Sequence, residues 1–166
     1  MARFSRLSGN RRPRLRAMLA APLLAASLLA ATLLAASPAL AATPLHQAAG
    51  AGDTAKIEQL LANGADTEAR DELFGWTPLH EAAFYGETAA ITALLKAGAR
   101  IEARAEGGFT PLHRAAGKGH SAAITALLKA GADAGALDNW GSTPFDLLPD
   151  DFPKNDAYWQ LHEARY

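Results

Sequence analysis

The sequence predicts an all-α protein, a solenoid of stacked helix–turn–helix units joined by polar loops. Three observations carry that prediction. Thr43-Pro44-Leu45-His46 recurs as Thr77-Pro78-Leu79-His80 and Thr110-Pro111-Leu112-His113, with an altered copy at Thr143-Pro144-Phe145-Asp146, in steps of 34, 33 and 33 residues. Residues 77–99 and 110–132 are identical at 18 of 23 positions. Each copy carries apolar residues at helical spacing between glycines. Self-similarity at such a period marks a stacked array, because a single unit has an apolar side it cannot bury alone.

The chain opens on a segment of different character. Residues 1–16 hold six arginines and no acid, residues 17–36 are uncharged and apolar, and Ser37-Pro38-Ala39-Leu40-Ala41 ends on small residues flanking a larger one. A basic head, an apolar run and a small-residue exit read as a secretory signal peptide over residues 1–41, cleaved after Ala41 to leave 125 residues. Three alternatives are weighed against it. An Arg-rich, acid-free N-terminus also fits an organelle transit peptide, but those are amphipathic rather than uniformly apolar. Twenty apolar residues are long enough for an uncleaved anchor, although the run is rich in alanine and holds Pro22. The Arg11-Arg12 pair also partly matches a twin-arginine export signal, but Pro13-Arg14 lacks the usual apolar follow-up.

In each following unit a Thr-Pro step starts the first helix: threonine is placed to cap it, and proline fills the first turn, where a missing N–H costs nothing. Leu45/Ala48/Ala49, Leu79/Ala82/Ala83 and Leu112/Ala115/Ala116 form a stripe at i, i+3, i+4, built mostly from alanine so that a neighbouring helix can come close. Gly52, Gly86 and Gly119 end it. Ile57/Leu60/Leu61, Ile91/Leu94/Leu95 and Ile124/Leu127/Leu128 then mark the buried face of a second helix, closed by Gly64, Gly98 and Gly131. A polar loop of about ten residues leads to the next copy, and the first of these loops is one residue longer, within Asp66–Trp76.

These residues resemble the ankyrin repeat, as in Gly75-Trp76-Thr77-Pro78-Leu79-His80-Glu81-Ala82-Ala83 and Leu94-Leu95-Lys96-Ala97-Gly98-Ala99. The chain as a whole resembles a small exported bacterial protein of that family. The resemblance runs from residue 43 to about 148 and implies helix pairs stacked with β-turn or hairpin fingers projecting at a steep angle. On this reading residues 42–166 form the repeat domain, with repeats at about 43–76, 77–109 and 110–142 and a partial C-terminal cap at 143–166. Pro149 and Pro153 interrupt the last copy, and Asp156 to Arg165 form a short closing helix whose Tyr158, Trp159 and Leu161 cover the end of the stack.

Composition excludes several kinds of chemistry. The chain has no cysteine, hence no disulfide framework, zinc–thiolate site or thiol nucleophile. From Ala42 onward ten basic residues face seventeen acidic ones, a net −7 without a basic stripe, which argues against nucleic acid. His46, His80 and His113 are regularly spaced, but neighbouring repeats stack about 10 Å apart. A shared zinc needs ring nitrogens within about 4 Å. The three histidines are therefore read as structural, and neither a metal nor a cofactor is expected. His120 is expected in solvent. Ser121 and Ser142 sit in no nucleophile elbow, Asp150-Asp151 read as a solvated loop and Gly107-Gly108 as a turn, so no enzyme activity is expected.

Of the five differences between the second and third copies, Glu81/Arg114, Phe84/Gly117 and Tyr85/Lys118 fall along the exposed side of the first helix and its turn. In the family resembled, that concave helix face and the finger tips contact partners. The candidate partner-binding residues are accordingly Leu73, Phe74, Trp76, Glu81, Phe84, Tyr85, Phe109, Arg114, Lys118 and Trp140, dominated by the aromatics from which interfaces draw most of their energy. Packing along neighbouring fingers is the alternative for Trp76, Phe109 and Trp140. The expected function is a non-enzymatic protein–protein interaction module, monomeric and exported to the periplasm, with simple secretion or membrane anchoring as alternatives. A self-associating scaffold of the cell envelope is the competing function.

Overall fold

The structure, a computed structural model, describes residues 43–164. The leader segment, residues 1–41, lies outside the described residues. Seven α-helices occur among those described: α1 (Pro44–Gly50), α2 (Thr54–Ala62), α3 (Pro78–Tyr85), α4 (Thr88–Lys96), α5 (Pro111–Gly117), α6 (Ser121–Lys129) and α7 (Asp156–Glu163), with 3₁₀ turns at Glu106–Gly108 and Pro144–Leu147. No helix among them is long and apolar enough to cross a membrane.

The helices form the two rows that the period demanded. First helices α1, α3 and α5 pack in succession, and the 3₁₀ turn Pro144–Leu147 takes the fourth place. Second helices α2, α4 and α6 form the other row, with α7 packed on α6. The core lies between the rows, where Leu79, Ile91, Leu94, Leu112, Ile124 and Leu127 are almost wholly removed from water. Paired alanines on the facing first helices are equally buried, as expected of a stripe selected for close approach. Fully burying each such leucine or isoleucine contributes about 1.5–3 kcal/mol, and helices pack on one another both within and between units. At the far end Ala157 and Leu161 of α7 are buried, whereas Trp159 is about half exposed and covers little.

Each first helix starts where threonine meets proline. The Thr43 and Thr110 hydroxyls accept from the N–H groups of His46 and His113 at 3.5 and 3.4 Å. The histidine at the third helical position completes the arrangement. His80 Nδ1 accepts from the Thr77 N–H (3.1 Å) and lies 2.9 Å from the Thr77 hydroxyl, while its Nε2 lies 3.0 Å from the Phe109 carbonyl oxygen of the next finger. His113 repeats this with Thr110 (3.2 and 2.8 Å) and Ser142 O (3.2 Å), and His46 pairs with the Thr43 hydroxyl (2.7 Å) and Trp76 O (2.9 Å). A carbonyl only accepts, so Nε2 carries a proton, and in His80 and His113, where Nδ1 accepts a backbone N–H, the ring is neutral. Each imidazole thus ties its own helix start to the following unit with both nitrogens. In the fourth copy Asp146 accepts from the Thr143 N–H and hydroxyl at 2.9 and 2.8 Å. A carboxylate reproduces the cap but has no N–H to extend the ladder.

Tight packing between units also constrains the glycine that ends α3. Gly86 has φ +79°, and a Cβ there would lie 2.8 Å from the ring of His120 in the next repeat. His120 is consequently not in solvent as expected. It is half-buried, with Nε2 3.0 Å from the Phe84 carbonyl oxygen.

Candidate partner-binding site

The fingers position the aromatic side chains, and a ladder of long charged residues joins one finger to the next. The Arg70 guanidinium donates to Gly75 O (2.9 Å) in its own finger and to Arg104 O (2.6 Å) in the next. Arg104 does likewise with Gly108 O (3.1 Å) and Leu137 O (2.7 Å). Glu68 accepts from the Arg100 N–H and Glu102 from the Asp133 N–H, at 2.8 and 2.9 Å.

The additional residue of the first finger falls at its tip. The backbone closes from Asp71 N–H to Trp76 O, against Ala105 to Phe109 and Asp138 to Ser142 in the other two fingers. The first turn therefore spans one residue more. One oxygen of Asp71 holds it in shape, accepting from the N–H groups of Phe74 (2.8 Å) and Trp76 (3.2 Å). Leu73 and Phe74, carried on this longer turn, are 67% and 51% exposed.

Beneath the turn lies a pocket of about 260 Å³, walled by Asp71, Glu72, Leu73, Phe74, Trp76, Glu81, Phe84 and Tyr85. Aromatic contact is continuous around it: ring centres are 5.4 Å apart for Phe74–Trp76, 4.9 Å for Trp76–Phe84 and 5.1 Å for Phe84–Tyr85. The unit on the N-terminal side leaves room, because at Gly50 a Cβ would come within 3.0 Å of the Tyr85 ring. Phe84 is matched by glycine in both neighbouring units, Gly50 and Gly117, so its ring stands in a groove rather than in a file of like residues.

Two cations lie across these rings. The Arg114 guanidinium carbon is 4.6 Å from the centre of Trp76 and 4.3 Å from that of Phe109, and Lys118 Nζ is 4.4 Å from that of Phe84. Such contacts are worth about 0.5–2 kcal/mol each, more as the cation is withdrawn from water. Burial pushes the Arg114 guanidinium below its usual pKa range, and the negative charge of Asp71 opposes that shift. Between these two rings the Nε of Arg114 is buried without an acceptor, and so is the indole N–H of Trp76. The surface continues from Phe109 to Trp140, 5.5 Å apart.

The ten residues singled out in the sequence thus differ in role. Leu73, Phe74, Tyr85 and Trp140 are open to solvent, with Tyr85 55% and Trp140 72% exposed. Trp76, 7% exposed, is the floor beneath them and not an open contact. Glu81 and Phe84 are half-buried walls of the pocket, Phe109 and Arg114 are half-buried beside it, and Lys118 is exposed at its edge. Sequence reasoning missed Asp71 and Glu72, which line the same pocket, and the Arg70/Arg104 ladder. The signal available for the latter was the 34-residue spacing shared by Arg70/Arg104 and Glu68/Glu102.

Among the described residues no group of three or more histidines or carboxylates is placed to hold a metal ion. No curated protein matches the chain. The family model for ankyrin repeats in three copies matches residues 45–138, over half of the chain, and with its helix rows, Thr-Pro starts and finger turns this chain belongs to the ankyrin-repeat family.

Proposed function

We propose that this chain is an exported interaction module that works in the periplasm and docks a partner protein on the first-helix side of the stack and its finger tips. Ankyrin repeats generally serve protein-partner binding and are typically non-enzymatic. The observation that carries the reading is the joined aromatic surface from Phe74 to Trp140, with four large apolar side chains at least half exposed along it. Contiguous apolar surface of this kind marks interaction sites on soluble proteins, and aromatic anchors next to Arg supply most interface energy.

Replacing Phe84 and Tyr85 together by alanine should weaken capture of the partner from a periplasmic extract by roughly 100-fold, two anchor side chains' worth of binding energy. Helical circular dichroism should be unchanged. Undiminished capture would remove the face from consideration. Sedimentation of the purified chain separates the competing scaffold function: a mass that grows with concentration, and stops growing in the double variant, assigns the patch to self-association.

Export is supported by the arginine head, the apolar run and the small-residue exit of residues 1–41. The intact mass of protein recovered from the periplasm is expected to be that of residues 42–166. A full-length mass in the membrane fraction would make the segment an anchor instead.

A further inference from the structure

We infer that the pocket under the first finger receives one positively charged side chain, lysine or arginine, from an exposed segment of the partner protein. The inference rests on the partner-binding reading above and adds the chemistry of the residue that enters.

Charge complementarity is the main argument. Glu81 is a half-buried wall of the pocket, and among the described residues its carboxylate makes no hydrogen bond or ion pair. Burial, and then the negative charge of nearby Asp71, raise its pKa above the usual carboxylate range. A carboxylate withdrawn from water beside a second one lacks a counterion, and desolvation without a partner is costly. The chain's own cations reach two of the walls, Arg114 between Trp76 and Phe109 within the influence of Asp71 and Lys118 over Phe84, but among the described residues neither forms an ion pair with Glu81. Glu72 adds a third acid at the exposed rim.

Shape points the same way. The remaining walls are aromatic, and ring faces attract a cation while their apolar bodies cover an aliphatic stem. A volume of about 260 Å³ lies below the usual range for drug-sized ligands and suits a single long side chain. Among the described units this combination is particular to the second: it joins the longer turn, which carries Glu72, Leu73 and Phe74, with Glu81, whose counterpart in the third repeat is Arg114. An apolar occupant would desolvate Glu81 further, and an anion would be repelled.

The test uses the full chain as bait for a display library of short random peptides. Enriched peptides should carry Lys or Arg, lose at least about tenfold in affinity when that residue becomes Gln, and lose as much against the Glu81→Gln protein. Glu72→Gln, at the exposed rim, should lower affinity in the same direction by less and guards against a folding defect at Glu81. Added salt should weaken these peptides more than any neutral control. Enrichment of peptides without a basic residue that still depend on Phe84 and Tyr85 overturns this inference and leaves the proposed face standing. Peptides that bind the Phe84→Ala/Tyr85→Ala protein undiminished overturn both. A library yielding no binder with Lys or Arg overturns the inference as well.

Discussion

Replacing His80 with alanine is expected to cost about 3–5 kcal/mol of stability at pH 7, and to flatten the loss of stability in mild acid. The ring is wholly buried and joins the Thr77 N–H and hydroxyl on one side to the Phe109 carbonyl on the other. Alanine removes these bonds together, leaves the Thr77 N–H without its acceptor and opens a cavity between two units. The acid dependence follows from the same burial. Withdrawal from water lowers the His80 pKa from 6.5 to about 4, helped by the positive charges of Arg114 and Arg70 and opposed by the bond to Phe109. Between those values the unfolded chain binds a proton that the folded chain refuses. Stability is therefore fully present above about pH 6.5 and falls as the pH is lowered toward 4, by on the order of 3 kcal/mol at His80. His113 is shifted in the same direction, chiefly by burial, and steepens the fall. Glu81, whose pKa is raised, contributes with the opposite sign because its protonation relieves a desolvated charge. Denaturant midpoints at pH 7 and 4.5 check the expectation: the natural chain should lose much of its stability between them, and His80→Ala distinctly less. Equal losses would mean that His80 is charged in the folded state.

The fourth copy supplies a built-in comparison for the two halves of this interaction. Asp146 makes the threonine cap with no N–H to pass on, so His80→Asp should keep the helix start and lose only the tie to Phe109. Its destabilisation should fall short of that of alanine only if the buried carboxylate stays satisfied by Thr77. The comparison separates capping within a unit from coupling between units.

Much of this was legible because it depends on local chemistry repeated in register. Thr-Pro starts, alanine stripes and the Ile/Leu spacing each encode a helix and its buried face, and repetition makes the pairing of neighbours unambiguous. The histidines were read correctly as structural, since their spacing forbids a common metal ion, although their hydrogen-bond partners could not be named. What escaped were contacts between units without a local signature. Arg70 and Arg104 look like solvated charges until the stack brings a second carbonyl to each. His120 looks exposed until Gly86 of the preceding unit closes on its ring. Trp76, for which packing along the neighbouring finger was the alternative, is buried against Phe74, Phe84 and Arg114, partners the sequence did not name. The aromatic site was visible as composition. Its acidic wall was not, because Asp71 and Glu72 stand outside the first helix on which the copies were compared.

Leu94→Ala should destabilise the chain by about 3–4 kcal/mol, within the range for a fully buried leucine, while Leu60→Ala at the corresponding position of the first unit should cost about 1–2 kcal/mol. Leu94 is completely buried, on a helix packed between α2 and α6, whereas Leu60 is half-buried. The side chains are chemically identical and occupy equivalent places in near-copy helices, so the difference isolates what flanking units contribute. Leu127 extends the comparison. It is also completely buried, and α6 is covered on its far side by α7, an element without a repeat signature. A cost at Leu127 matching that at Leu94 would show that the closing helix substitutes for a whole unit. In a quasi-one-dimensional array the central interface couples everything on either side, so Leu94→Ala should also broaden the denaturation transition as the two ends begin to unfold separately. Equal costs at all three positions with a single sharp transition would place the stability inside each helical hairpin. The stack would then be a consequence of the fold and not its cause.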